Sequence, residues 1–460
     1  MAVFRPPESD EAPGGPPAAC TSNARRRGAY YTPPTAADFM ADWLLRQEGE
    51  HVLEPSFGEG IFLRSIGACA ERRGFRRVRV TGIEIGPEAL SREGRTPPGT
   101  DVDLRCGDFL AETPFPVQAV IGNPPYVRLR HLPPAQRRRA LDAACAALGK
   151  PMDPGGSVWV PFALHAMRFL ERGGRMALVL PYELTYVRYA RPLWSKLRRH
   201  FGSLCVLRTQ QRLFPGLLQE VVVLLADAYQ GSTDTVQYQA FARVDDLWAG
   251  LPLADATLAV DDLLRGERPF VEALLSAELR SLLRARIAAA TVPTRDLVTF
   301  HIGYVAGDRR YFHPDPETVR RHALPAESLL PTLTSARALR GSGLRTSALD
   351  GDRTPRLFLP REGSLTPGEQ AYVRFGEETG VSQRYKCRVR TPWYRVPGAR
   401  APDVVLSVFS ERPCLMVNDA GVYASNSLLC GYSRGAAPEE IAARWYTSLT
   451  LLQCELQVHA

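Results

Sequence analysis

The strongest constraint on this chain is a rhythm. From about residue 51 to 228, short runs rich in Val, Ile and Leu alternate with longer amphipathic stretches. The pattern predicts strands near 51–53, 78–85, 102–106, 118–122, 175–181, 203–209 and 220–228, and helices over 60–72, 86–93, 157–171 and 189–200. Repeated strand–helix units build a parallel sheet covered on both faces, because each helix must cross back over the sheet before the next parallel strand can start. The expected fold is α/β: a doubly wound, seven-stranded Rossmann-like sheet. The last two runs have no helix between them and should pair as a hairpin, which makes the last strand antiparallel. Ligands of such sheets bind at the carboxyl ends of the strands.

The remaining chain sets the domain plan. At 460 residues, the length exceeds what one core usually supports, so more than one domain is expected. Residues 1–27 are rich in Pro, Gly and Ala and end in Arg25-Arg26-Arg27, a composition expected to form a disordered arm. Residues 28–230 form the first domain; its opening helix follows Pro33-Pro34, with Thr35 as the expected N-cap. Residues 231–294 read as a helical linker, and 295–460 as a turn-rich α+β domain with short strand-like pieces such as "DVVLSVF".

Composition excludes several classes. The longest apolar run, "EVVVLLADAY", is too short to span a bilayer, and no apolar signal region follows the N-terminus, so a cytoplasmic protein with no membrane partner is expected. Nine cysteines lie scattered without a CxxC pair or neighbouring histidines, so neither a disulfide framework nor a metal site is expected. The formal charge is +8, and nearly all of the excess falls before residue 231. That balance suits a nucleic-acid partner without requiring one.

Four segments carry chemistry. In "VLEPSFGEGIFL", residues 52–63, an apolar strand meets Glu54 and then Gly58 and Gly60 before a helix, a turn that lets the backbone approach a ligand closely. Downstream, "VTGIEI" ends a strand in Glu84, at the distance where a carboxylate can accept from a ribose. There is no GxGxxG and no Lys-Ser/Thr after the glycines, so a phosphate is poorly served; a nucleoside without phosphates fits better, and Glu54 suits an ammonium. In "LRCGDF", Asp108 ends a third strand, where it could accept from an adenine amino group. Finally "AVIGNPPYVRLR" stops a strand with Asn123-Pro124-Pro125-Tyr126. Two prolines cannot extend a sheet ladder and fix their own φ, so they present the flanking side chains in one stiff geometry.

The order and spacing of these segments resemble the S-adenosylmethionine-dependent DNA adenine-N6 methyltransferases of restriction-modification systems, and within them the gamma-type, TaqI-like group with its NPPY motif. The resemblance spans 28–228, where "GAYYTPP", "LEPSFGEG", "GIEI", "GDF" and "IGNPPY" occur in family order. It implies a methyltransferase catalytic domain followed by a DNA target-recognition domain. Tyr30, Thr32 and Pro33 would border the methionine end of S-adenosyl-L-methionine, with Glu54, Ser56, Gly58 and Gly60 lining the rest of that pocket. Glu84 would hold the ribose, and Asp108 with Phe109 the cofactor's adenine. Asn123 and the Pro124 carbonyl would accept from the target amine, Pro125 would stiffen them, and Tyr126 would stack on a flipped base, with Phe214 from the hairpin turn as a second aromatic. The alternative for Phe214 is a hydrophobic plug.

Arg128 and Arg130, just after the tetrapeptide, would meet phosphates of double-stranded DNA, or else form a solvated face. In the second domain, "HIGYVAGDRRYF" at 301–312 and "RTPWYRVP" at 390–397 resemble segments of the family's recognition domain. The cluster "RYKCRVRTPWYR" contributes Arg388, Arg390 and Trp393 as DNA contacts, on the expectation that 384–390 is a strand with its even-numbered cations on one face. His165, on an apolar helix, reads as a core histidine. Other readings stay open: a methyltransferase of N4-cytosine in DNA, of RNA or of protein glutamine, or a DNA-binding subunit without activity. Any cleavage is expected from a separate restriction endonuclease.

Overall fold

The computed structural model describes residues 32–87, 96–209, 220–249, 256–267, 269–273, 275–290, 292–339, 343–349, 354–407 and 413–457. The expected arm at 1–27, the expected helix over 86–93 beyond Pro87, Tyr30 and Phe214 lie outside the described residues. The chain divides into two compact units that part after Ser276.

The first unit is built on a nine-stranded sheet of order β3-β2-β1-β4-β5-β7-β6-β8-β9. Its strands are β1 (His51–Glu54), β2 (Val78–Glu84), β3 (Thr100–Cys106), β4 (Val117–Gly122), β5 (Leu170–Pro181), β6 (Phe201–Thr209), β7 (Val221–Tyr229), β8 (Thr235–Phe241) and β9 (Ala256–Ala259). The first five run parallel, and β7 lies antiparallel between β5 and β6. Both faces are dry. Along β7, Val222, Leu224 and Ala226 enter one core while Val221, Val223 and Leu225 enter the other, which is why the sequence reads as an unbroken apolar run instead of an alternation.

Helices α1 (Pro34–Leu44) and α2 (Ile61–Arg73) pack on one face; α3 (Pro134–Leu148), α4 (Trp159–Ala166) and α5 (Arg191–His200) pack on the other. In α5 the spacing of Leu193, Trp194 and Leu197 buries one stripe and leaves its cations towards solvent. Two expectations are corrected here. The cap of α1 is Pro33 and not Thr35, because Pro34 supplies the preset φ and missing N–H that suit a first helical position. The stretch 231–294 is not a helical linker, since β8 and β9 extend the sheet. In β9, Ala256 and Leu258 are buried and Thr257 and Ala259 exposed, a period of two hidden inside an Ala- and Leu-rich segment that looks helical by composition.

The second unit is α+β. Strands β10 (Val298–Ile302), β13 (Val404–Ser407), β14 (Leu415–Val417) and β16 (Leu428–Ser433) form an antiparallel sheet of order β10-β16-β13-β14. Strands β11 (Leu329–Leu333), β12 (Arg356–Phe358) and β15 (Tyr423–Ala424) form a smaller one. Helix α6 (Pro367–Glu378) starts on a full capping box between Thr366 and Glu369. The expected strand over 384–390 is absent: Tyr385–Arg388 form a short helix, α7, preceded by a 3₁₀ turn at Val381–Gln383, so the even-numbered cations do not share a strand face. Cys387 is the apolar side of that turn, fully buried in the local core, and this anchors a helical geometry. Among the described residues no helix is long and apolar enough to cross a membrane, and no His, Cys, Asp and Glu cluster could hold a metal ion.

Candidate active site

The strand order reverses direction between β1 and β4, the point where open α/β sheets form a crevice at their carboxyl ends. Glu54 ends β1, and Asn123 follows the last residue of β4. Gly58 and Gly60 both have positive φ, +55° and +71°, which a side chain would strain; at Gly60 a Cβ would also lie 2.7 Å from the Phe57 ring. The turn therefore closes tightly over the end of β1 and leads into α2.

Glu54 is fully buried, and both carboxylate oxygens lack a hydrogen-bond partner. Burial drives its pKa well above the ordinary value; Arg64 pulls it back and Glu84 pushes it further up. A buried, unpartnered carboxylate costs free energy unless something cationic meets it. Glu84 sits across the turn and accepts from the Gly58 N–H at 3.0 Å and the Gly86 N–H at 3.0 Å, one with each oxygen, which leaves each oxygen a further lone pair.

Two hydrogen bonds orient the Asn123 amide: Nδ2 donates to Thr32 Oγ1 at 3.3 Å, and Oδ1 accepts from the Tyr126 hydroxyl at 2.7 Å. The same hydroxyl reaches the Val179 carbonyl on β5 at 3.1 Å, so the Tyr126 ring is tethered at its far edge. Ser56 Oγ donates to the Asn123 carbonyl at 3.0 Å and ties the β1 turn to the β4 end. Thr32, Ser56, Asn123 and Tyr126, far apart in sequence, thus converge, with Pro33 beside Thr32 at the start of α1.

Asp108 and Phe109 have local duties. Asp108 caps the turn over Phe109–Ala111 by accepting from Leu110 N–H at 3.1 Å, and its other oxygen pairs with Arg139 of α3 at 3.1 Å. Phe109 is buried against Phe162, His165 and Phe169. His165 is a core residue, with burial pushing its pKa down to about 4 and Nε2 at 3.1 Å from the Glu112 carbonyl.

The arginines are more engaged than the sequence suggests. Arg128 pairs with Glu183 at 2.9 Å and lies over the Tyr189 ring, while Arg130 is exposed, with Nε donating to His131 Nε2. In the second unit Arg390 donates to the carbonyls of Val305 and Ala306, and Trp393 packs at a tilt against Tyr311 and donates to Glu377, so both hold the fold together. Arg388 is exposed, over the Tyr385 ring at 5.5 Å. The sequence reading missed the cluster after β5. There Tyr182 lies under Arg208 at 4.4 Å, Arg208 pairs with Glu220, and Glu183 holds Arg128. The available signal was "LPYELTYVRY", an aromatic and charged run starting at the carboxyl end of a strand.

This sheet, with its antiparallel seventh strand, glycine turn after β1 and Asn-Pro-Pro-Tyr after β4, defines a methyltransferase. The family described as N-6 DNA Methylase matches residues 18–191, and the family described as Type II methyltransferase M.Eco57I, C-terminal domain, matches residues 267–460. The chain is similar to Type II methyltransferase M.AccI of Acinetobacter calcoaceticus, with 21% identity over 87% of this chain and 75% of that protein. It is also similar to Type II methyltransferase M.XamI of Xanthomonas campestris pv. amaranthicola, with 23% identity over 85% of this chain and 72% of that protein. Among solved structures, the type IIG restriction endonuclease BpuSI aligns with a TM-score of 0.46 and 15% identity, covering 91% of this chain and 55% of that one. The N-6 DNA Methylase match thus lies in the first unit, and the chain is a DNA methyltransferase of the restriction-modification kind.

Proposed function

We propose that this enzyme transfers a methyl group from S-adenosyl-L-methionine to the N6 amine of an adenine flipped out of double-stranded DNA, within one sequence context. The observation that carries the reading is the pairing, at one crevice, of an unpartnered buried carboxylate on Glu54 with the stiff amide of Asn123. Glu54 fits the cofactor: the methionine ammonium would supply the cation that the orphaned, buried carboxylate lacks. Thr32, Pro33, Ser56, Gly58 and Gly60 would complete that end, Glu84 would use its remaining lone pairs on the ribose hydroxyls, and Asp108 and Phe109 would border the adenine. When bound, the cofactor supplies an electrophilic methyl group on sulfur.

The chain's own residues then act on the base. An exocyclic aromatic amine is a poor nucleophile because its lone pair is delocalised into the ring. Asn123 Oδ1 and the Pro124 carbonyl accept its two N–H groups, draw the nitrogen towards tetrahedral geometry and free the lone pair. Thr32 fixes the amide orientation beforehand, so little reorganisation is needed as charge develops. Tyr126 stacks on the extruded base and offsets part of the few kcal/mol lost on unstacking. Its hydroxyl, now on Asn123 Oδ1, can stay on the Val179 carbonyl when the amine arrives. A companion restriction endonuclease on another polypeptide fits the kind of system to which the family belongs.

The test uses purified protein, tritiated S-adenosylmethionine and unmethylated plasmid DNA, followed by digestion to nucleosides. Label in N6-methyl-2′-deoxyadenosine supports the reading. Label in N4-methyl-2′-deoxycytidine, or none in DNA, overturns it.

A further inference from the structure

The chain that leaves β4 passes the end of β5, because the two strands are parallel and Gly122 pairs with Leu178. The Tyr126 hydroxyl reaches the Val179 carbonyl, and two residues further on Arg128 Nη2 lies 2.9 Å from Glu183 Oε2. Glu183 stands four residues beyond Val179, on the 3₁₀ turn Tyr182–Thr185 that continues β5. The aromatic ring and the arginine are therefore tied to one strand end, and Tyr126, Arg128, Glu183 and β5 close a frame.

A backstop meets the frame at the same carboxylate. Glu183 Oε2 also accepts from the Tyr189 hydroxyl at 2.5 Å, and burial, with Glu183 beside it, raises that hydroxyl well above its ordinary pKa, so it stays a donor. The Tyr189 ring lies 5.3 Å from the Arg128 guanidinium and 5.9 Å from the Trp159 ring, and a Cβ on Gly156 would come within 3.1 Å of it. The loop backbone is fixed to that same segment. The Val127 carbonyl accepts from the Val158 N–H at 2.9 Å and Ser157 Oγ at 3.0 Å, and the Leu129 N–H donates to the Gly156 carbonyl at 3.0 Å. Glu183 thus joins three things: the strand that holds the Tyr126 hydroxyl, the exit of the loop, and the start of α4.

Electrostatics decide what Arg128 is for. The Glu183 side chain is only 15% exposed, and moving the guanidinium to a DNA phosphate would leave this carboxylate without its cation. Stripping a partly buried ion of its partner is costly, and the arginine would gain little by exchanging one anion for another.

Resting on the proposed transfer to an extruded adenine, we propose that Glu183 is a positioning residue for the target base: through Arg128 it fixes the loop exit so that the Tyr126 ring stands where the base stacks, and Arg128 serves this frame rather than a phosphate. The two roles of Arg128 predict opposite signs. As a phosphate ligand it would have Glu183 as a competitor, so Glu183→Gln would tighten DNA binding and steepen the slope of log affinity against log salt by up to about 0.9. As part of the frame, Glu183→Gln and Arg128→Gln break the same link, so both weaken extrusion and leave the slope alone.

The test uses the full chain and a duplex of the context that the wild type methylates, with 2-aminopurine at the target position. Its fluorescence reads extrusion, anisotropy across a range of salt reads affinity, and calorimetry reads S-adenosylmethionine binding. Each single variant is expected to lower the extrusion equilibrium by roughly three- to tenfold and to slow single-turnover methylation of the unlabelled duplex to match. The double variant is expected to be no worse than either single one, because the pair acts as a unit. Tyr189→Phe, which removes the second donor from the same oxygen, is expected to weaken extrusion in the same direction. Salt slope, cofactor affinity and melting profile are expected to stay as in the wild type. Tighter DNA binding with a steeper slope in Glu183→Gln would assign Arg128 to a phosphate and overturn the inference. Wild-type extrusion in the single variants, or losses that add in the double variant, would overturn it as well. A Glu183→Gln chain that loses cofactor affinity or cooperative melting would make the pair a general support of the fold and overturn it equally. A wild type that neither extrudes nor methylates adenine would instead refute the underlying reading of the substrate.

Discussion

Glu54→Gln should move stability and ligand affinity in opposite directions. In the free protein Glu54 is fully buried and lacks hydrogen-bond partners, and its pKa is raised by burial. Because the folded value lies above the ordinary 4.5, the unfolded chain holds fewer protons between the two values. Stability therefore falls as pH rises through that window, by up to about 1.4 kcal/mol per pH unit, and the loss is complete above the folded value. Gln has nearly the same shape and no proton to lose. An unpaired buried amide costs about 1–3 kcal/mol, less than a buried carboxylate ion, so the variant should match or exceed the wild type in urea unfolding at neutral pH and lack this part of the pH slope. The ammonium of S-adenosylmethionine loses its counter-ion, however. A hydrogen bond to a charged group is worth about 1.5–3 kcal/mol, so the dissociation constant from calorimetry should rise by roughly 10- to 150-fold. A variant that binds the cofactor as the wild type does, or that unfolds at clearly lower urea, would refute the assignment of Glu54.

Asn123→Ala should slow single-turnover methylation by ~100- to 1,000-fold, the cost of one preorganised acceptor, while calorimetry finds cofactor affinity nearly unchanged. Tyr126→Phe keeps the stacking face and should still extrude the target, whereas Tyr126→Ala should weaken extrusion by roughly 1–3 kcal/mol, read from the fluorescence of 2-aminopurine at the target position. Arg175→Ala leaves the buried Glu50 without its ion-pair partner; unfolding in urea should show a loss of about 3–5 kcal/mol.

Much of the first unit was legible because its signals are local. The seven expected strands each correspond to an observed one, since a sheet buried on both faces writes continuous apolar runs into the sequence, as at Val221–Ala226. The tetrapeptide after β4 and the glycine turn after β1 were legible for the same reason: proline and glycine constrain the backbone wherever they stand. Strand β9 was hidden because four residues are too few to separate a period of two from a helix rich in Ala and Leu. What the sequence could not show is partnership over long separations. Arg128 and Arg390 look like free cations in the chain, yet one is paired with Glu183 and the other clamps the carbonyls of Val305 and Ala306. The amide lock on Asn123 depends on Thr32, 91 residues away. The segment 384–390 was misread because alternating cations mimic a strand, whereas burial of Cys387 favours a turn of helix.

The central claim is that Asn123 and its neighbours methylate adenine in a defined DNA context. Long-read sequencing of genomic DNA from cells that express the wild-type chain, compared with cells that express Asn123→Ala, tests it most directly. The account predicts N6-methyladenine at one recurrent sequence with the wild type and unmodified adenine at the same sequence with the variant. Modified cytosine in place of adenine, or equal adenine modification in both cultures, would contradict it.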